Sequence, residues 1–128
     1  MLDKSAVNLP FLSILMTVYN REKFIAEAIE SVLHSTYKHF EFIIVDDCST
    51  DNSTLIAAEA AINDKRIQVI RLRRNSGLPS ARNTGFSFAK SPFVVFLDSD
   101  DALLPTALAG RLALAQVNDD VWGVAFRN

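Results

Sequence analysis

The chain has 128 residues, 49% of them hydrophobic and 22% charged, with a formal net charge of −2. That is room for one domain with a real core and too little for two, in an ordinary globular composition. The near-neutral charge and the lack of a polybasic block argue against nucleic acid or an anionic membrane surface as partner.

The stretch from Leu9 to Val18 is apolar but too short to span a bilayer, and Pro10, Ser13 and Thr17 interrupt it. It also lacks the basic start and small-residue cleavage site of a signal peptide. Within it, Phe11–Thr17 (FLSILMT) is a predicted first strand. Asn20 is a candidate cap for a helix in which Phe24, Ile25, Ala28, Ile29, Val32 and Leu33 recur at helical spacing. Phe40–Val45 (FEFIIV) predicts a second strand, ending at Asp46-Asp47. The single cysteine, Cys48, forms no internal disulfide and no metal pattern with His34 and His39, which suits a reducing, cytoplasmic compartment. Ser49 to Ser53 is turn-rich, Leu55–Ile62 is an alanine-heavy helix, and Ile67–Leu72 alternates like a strand with one wetter face. Gly77 opens a turn, Pro79 suits a helix start, and Ala81–Ala89 continues that helix. A strand over Phe93–Leu97, a helix from about Thr106 to Gln116 and a last strand over Val121–Phe126 complete the sequence.

Strands alternating with helices through short connections define the class as α/β, a mostly parallel Rossmann-like sheet with helices on both faces. The usual phosphate signatures are missing. No G-x-G-x-x-G follows the first strand, no G-x-x-x-x-G-K-[ST] occurs, and there are only 4 glycines. A dinucleotide-binding dehydrogenase half and a P-loop enzyme are therefore disfavoured, as is a nucleotidyltransferase with a glycine-rich loop.

The chemistry collects at strand ends. Phe93-Val94-Val95-Phe96-Leu97 runs directly into Asp98-Ser99-Asp100-Asp101, three carboxylates within four residues. Like charges crowded together need a positive partner, and a hard divalent cation with oxygen ligands fits. Acidic residues after a strand also cap helices, and Pro105 is a good first helical residue, which accounts for one or two of them. Thr17-Val18-Tyr19-Asn20 after the first strand adds hydroxyls, an aromatic face and an amide. Asp46-Asp47 follows the second strand, and Arg82 stands early in the helix after Asn75-Ser76-Gly77. A nucleobase stacked near Tyr19 with a carboxylate at its edge, and a diphosphate reaching a metal on the last cluster, would use all of them in the crevice beyond the strands. Each has a plainer alternative: Tyr19 as core packing, Arg82 as a surface ion pair, Asp47 as a turn cap.

Four segments, taken together, resemble the family 2 glycosyltransferases of the GT-A fold: Ser13–Asn20 (SILMTVYN), Ile44–Asp51 (IVDDCSTD), Asn75–Gly85 (NSGLPSARNTG) and Phe96–Asp101 (FLDSDD). Their order and spacing fit, and the resemblance covers about residues 11 to 126. It implies an inverting transferase using a nucleotide-diphosphate sugar and a divalent metal, Mg²⁺ or Mn²⁺. By the same resemblance Thr17, Tyr19 and Asn20 belong to the nucleotide-sugar site, Asp47 hydrogen-bonds the base, and Arg82 lies on the nucleotide side. Asp98, Ser99 and Asp100 match the D-x-D element that contacts ribose and holds metal, and Asp101 shares in coordination. UDP is the nucleotide implied, with GDP and dTDP left open by Tyr19 and Asp47.

Family members continue for roughly a hundred residues more, carrying acceptor-binding elements and an acidic general base. Asp119 and Asp120 do not match that base. The expectation is therefore the nucleotide-binding half of a transferase, residues 1–128 forming one domain with the base beyond residue 128. Alone it would bind nucleotide and metal but transfer no sugar to its saccharide, lipid or protein acceptor. The parent protein would be cytoplasmic, with membrane association left open, and apolar surface near Val121–Phe126 would favour self-association. Two other classes compete. A phosphoacceptor receiver domain shares the α/β plan, yet it wants a lysine after its last strand, and the last one here is Lys90. A catalytically inactive interaction domain would keep the fold without needing the nucleotide and metal positions.

Overall fold

The structure is a computed structural model and describes residues 11–100, 105–108 and 124–126. The strands are β1 (Leu12–Val18), β2 (Phe40–Asp46), β3 (Ile67–Arg71), β4 (Val94–Asp98) and β5 (Val124–Phe126). They form one sheet in the order β3-β2-β1-β4-β5, and all four neighbouring pairs run parallel. Helices α1 (Ile25–Leu33), α2 (Ser53–Asn63) and α3 (Leu78–Phe88) fill the crossovers. The predicted α/β class is what the chain adopts. The strand order separates it from a receiver domain, in which β3 rather than β4 lies beside β1.

Both faces of the sheet are covered, and the two-residue period of β1 shows how. Leu12, Ile14, Met16 and Val18 face one side, where they meet Ile25, Ala28, Ile29 and Val32 of α1 and Ala57 of α2. Those α1 positions repeat at helical spacing, so a single stripe of the helix is buried. Leu15 faces the other side with Ile43, Val45 and Val94, against Ala81 of α3. β1 is central, with β2 and β4 on its flanks, so its end and theirs define the crevice.

Several boundaries differ from expectation. Asn20 does not cap α1. The helix starts at Ile25, with Phe24 before it and no side-chain cap, and its first turn closes on the Arg21 carbonyl instead. Helix α2 begins two residues before the predicted Leu55, at Ser53. Of the helix expected over Thr106–Gln116, only Ala107 and Leu108 are described as helical, and Leu108 is buried in the α1-side core. Of the strand expected over Val121–Phe126, Val124–Phe126 pairs with Val95–Leu97. The apolar surface expected there lies outside the described side chains.

Gly85 marks the closest approach of α3 to the sheet. A Cβ there would overlap Leu15 Cδ1 and stand 3.0 Å from Cδ2, and Leu15 is itself buried. Gly85→Val is expected to cost about 2–3 kcal/mol through overpacking. Urea unfolding checks it, and an unchanged midpoint would contradict this packing.

Candidate functional site

The two aspartates at the end of β2 do different work. Asp46 is fully buried. Its carboxylate accepts hydrogen bonds from Ser49 N–H (3.1 Å), the Ser49 hydroxyl (2.6 Å) and the Thr54 hydroxyl. Arg71 Nε stands 3.4 Å away. Cys48, at φ 65°, turns the chain so that Ser49 folds back onto Asp46. Asp46 therefore braces the loop between β2 and α2 and is not free to meet a ligand.

Asp47 reaches across the crevice instead. One of its oxygens, Oδ1, accepts from Ser76 N–H (2.8 Å) and the Ser76 hydroxyl (3.0 Å), and Oδ2 accepts from Gly77 N–H (2.9 Å). Gly77 sits at φ 89°, a conformation that favours glycine. The carboxylate thus holds the turn before α3 rather than capping the turn that follows it in sequence.

The loop after β1 is tied to the loop after β2. Asn20, at φ 52°, donates its N–H to the Ser49 hydroxyl (2.9 Å), and its amide oxygen accepts from Thr50 N–H (2.8 Å). Arg21 N–H donates to the Ser53 hydroxyl at 2.8 Å, and Glu22 N–H to Asp51 at 3.1 Å. Asp51 titrates below the usual carboxylate range. Burial pushes it up, but hydrogen bonds from Ser53 and from the Glu22 N–H together outweigh that.

These loops and the end of β4 enclose a cavity of about 460 Å³. It is lined by Thr17 and Val18 at the end of β1, by Tyr19 and Arg21 after it, by Asp47, by Asn75, Gly77, Leu78 and Ala81 around the start of α3, and by Asp98, Ser99 and Asp100. Tyr19 is 43% exposed, so its ring faces the cavity region and does not close the core. Asp98 lies opposite Thr17 in the β1–β4 register. The structure therefore brings together Thr17, Tyr19, Asp47, Asp98, Ser99 and Asp100. Asn20 does not line the cavity, because its amide is committed to the 49–51 loop. Nor does Arg82: its Nη2 is 3.8 Å from Asp98 Oδ1, with its guanidinium 5.5 Å from the Phe96 ring centroid. Both partners of that pair are partly exposed, so its contribution to stability is small. Asp101 lies outside the described residues.

Sequence reasoning passed over Arg21, which no motif flags, and Asn75 and Gly77, whose turn chemistry hid their place in the lining. As to a metal, no three His, Cys, Asp or Glu side chains among the described residues form a complete cage. Asp98 and Asp100 on one turn nevertheless fit Mg²⁺ or Mn²⁺, which take one or two carboxylates and complete their shell with water and substrate phosphates.

An open parallel sheet with its cavity beyond the carboxyl ends of the central strands defines a ligand-binding α/β domain. The chain belongs to glycosyl transferase family 2, whose family model matches residues 13–128. It is 44% identical over 119 residues to the uncharacterized glycosyltransferase EpsJ of Bacillus subtilis, covering 92% of this chain and 34% of that one. It is 38% identical over 106 residues to an uncharacterized glycosyltransferase of Haemophilus influenzae, covering 83% and 42% respectively. Among solved structures, S. aureus TarS 1–349 in complex with UDP-GlcNAc superposes with a TM-score of 0.76 at 35% identity, over 84% of this chain and 32% of that one. The mannosyltransferase PcManGT of Pyrobaculum calidifontis shares the fold, with a TM-score of 0.75 at 23% identity, over 87% and 33%. The chain thus spans roughly a third of the length of these relatives. No helix among the described residues is long and apolar enough to cross a membrane.

Proposed function

We propose that this domain is the donor-binding half of an inverting glycosyltransferase. It takes a nucleoside-diphosphate sugar, UDP-linked, together with Mg²⁺ or Mn²⁺. The observation that carries this is the convergence of Tyr19, Asp47, Asp98 and Asp100 in one cavity at the ends of β1, β2 and β4. The UDP-GlcNAc complex of the similar TarS supports the uridine nucleotide. In this reading Tyr19 stacks on the base, Asp47 accepts its ring N–H, and Thr17 and Ser99 bound the nucleotide. Asp98 and Asp100 hold the cation against the diphosphate, with Asp101 beside them. Arg82, paired with Asp98 in the free domain, supplies positive charge on the nucleotide side. A bound metal supplies Lewis-acid neutralisation of charge on the leaving diphosphate. The elements that bind the saccharide, lipid or protein acceptor, and the general base that deprotonates its hydroxyl, are expected outside these 128 residues.

Calorimetric titration with UDP, in the presence of Mn²⁺ and of EDTA, tests the proposal. Binding is expected with metal, weakened at least about tenfold by EDTA and by Asp100→Asn. Equal affinity in EDTA, or no binding of UDP under either condition, would overturn it.

A further inference from the structure

Arg21 is the one cationic side chain among the described residues that lines the cavity. Its backbone is fixed, with N–H donating to the Ser53 hydroxyl at 2.8 Å and its carbonyl accepting from Phe24 and Ile25 N–H at 2.9 Å each. Its guanidinium is exposed, with one long contact of 3.4 Å, to the Asn20 carbonyl. A rigid root with an uncommitted, planar, five-donor head is how an arginine waits for a ligand.

Where that side chain is rooted follows from its neighbours. Asn20 and Glu22 bind residues 49–52 of the loop after β2, so the segment leans toward β2. The register puts Asp46 beside Val18 on that flank of β1, and Asp98 beside Thr17 on the opposite flank. Arg21 is therefore rooted on the Asp47 flank of the cavity, across β1 from the strand that carries Asp98.

Asp47 brings a second constraint. An ionised carboxylate offers about four acceptor positions. Ser76 N–H and hydroxyl occupy both on Oδ1, and Gly77 N–H occupies one on Oδ2, leaving a single position. The guanine edge presents a ring N–H beside an amino group and asks for two acceptors. A pyrimidine imide presents one N–H flanked by carbonyls. Cytosine and adenine present no ring N–H there.

Resting on the nucleotide-binding reading above, we propose that Arg21 is a base-recognising residue that donates to a carbonyl of the base while Asp47 Oδ2 accepts the adjacent ring N–H. The pair selects a uracil- or thymine-type imide over guanine and cytosine, because a wrong edge leaves one of these polar groups unpaired.

Titrations of the protein and of Arg21→Ala and Arg21→Lys test this, with UDP, GDP, CDP, uridine and inorganic diphosphate as probes. The unaltered protein is expected to prefer UDP to GDP and CDP at least about tenfold. Arg21→Ala should weaken UDP and uridine by about tenfold while leaving diphosphate within about twofold. Arg21→Lys, which keeps the charge without the planar fork, should restore the uridine nucleotide only in part. Equal affinity for GDP, or a loss of diphosphate binding that matches the loss of uridine in Arg21→Ala, would overturn the assignment. If UDP binds with metal and Arg21→Ala changes nothing, this inference fails alone. If the unaltered protein binds no nucleotide, the donor-site reading fails and takes this inference with it.

Discussion

Asp46→Ala is expected to lower the unfolding free energy by about 2–4 kcal/mol, because it takes the acceptor from buried donors of the loop after β2. The carboxylate is wholly buried; its removal strands the N–H and hydroxyl of the buried Ser49 and takes the acceptor from the part-buried Thr54 hydroxyl, while Arg71, half exposed, keeps water and the Ser49 carbonyl as partners. Each buried donor left without an acceptor costs about 1–3 kcal/mol. Against a total stability of roughly 5–15 kcal/mol for a domain, such a loss leaves little margin. Urea unfolding followed by circular dichroism reads it directly. A stability within about 0.5 kcal/mol of the unaltered protein would mean that Asp46 does not brace the loop.

The neighbouring substitution should behave in the opposite manner, with more lost in binding than in folding. Asp47→Asn keeps the size of the side chain, and its oxygen can still accept from Ser76. Its NH₂ group, however, turns donors toward Gly77 N–H and toward the base. The expected stability loss is about 1 kcal/mol, since the one donor left without its acceptor, the Gly77 N–H, is only part-buried. UDP affinity is expected to fall about a hundredfold, since the ring N–H meets a donor where it needs an anion. Thermal unfolding and calorimetry on the same preparation separate the two effects. A variant that loses stability yet binds UDP unchanged would remove Asp47 from base recognition.

The contrast between Asp46 and Asp47 shows where sequence stops being informative. As letters they are an indistinguishable pair after an apolar strand. Only the fold reveals that one points into the core while the other spans to Ser76 and Gly77, about thirty residues away. Helix α1 and strand β1 were legible because burial imposes a period on them, 3.6 residues in one and two in the other. The acidic turn at Asp98–Asp100 was legible for a different reason, since its charges stand out against the apolar run before it. Asn20 misled because an amide before a helix is a good cap by local rules, whereas its partners are the backbone groups of Thr50 and Asp51. Arg21 left no trace at all. An exposed arginine in a loop has neither periodicity nor a motif, and its position depends on hydrogen bonds to a segment distant in sequence. The strand order was equally hidden, because periodicity finds strands without saying which of them are neighbours.

The most direct test of the donor-site account is an amide NMR titration of the protein with UDP, first with Mg²⁺ and then with paramagnetic Mn²⁺. Shifts are expected at Tyr19, Arg21, Asp47 and Gly77 as the base enters. Mn²⁺ should broaden Asp98, Ser99 and Asp100 more strongly than that base-side group. Shifts confined to another face of the sheet, or broadening by Mn²⁺ that bypasses the end of β4, would contradict it.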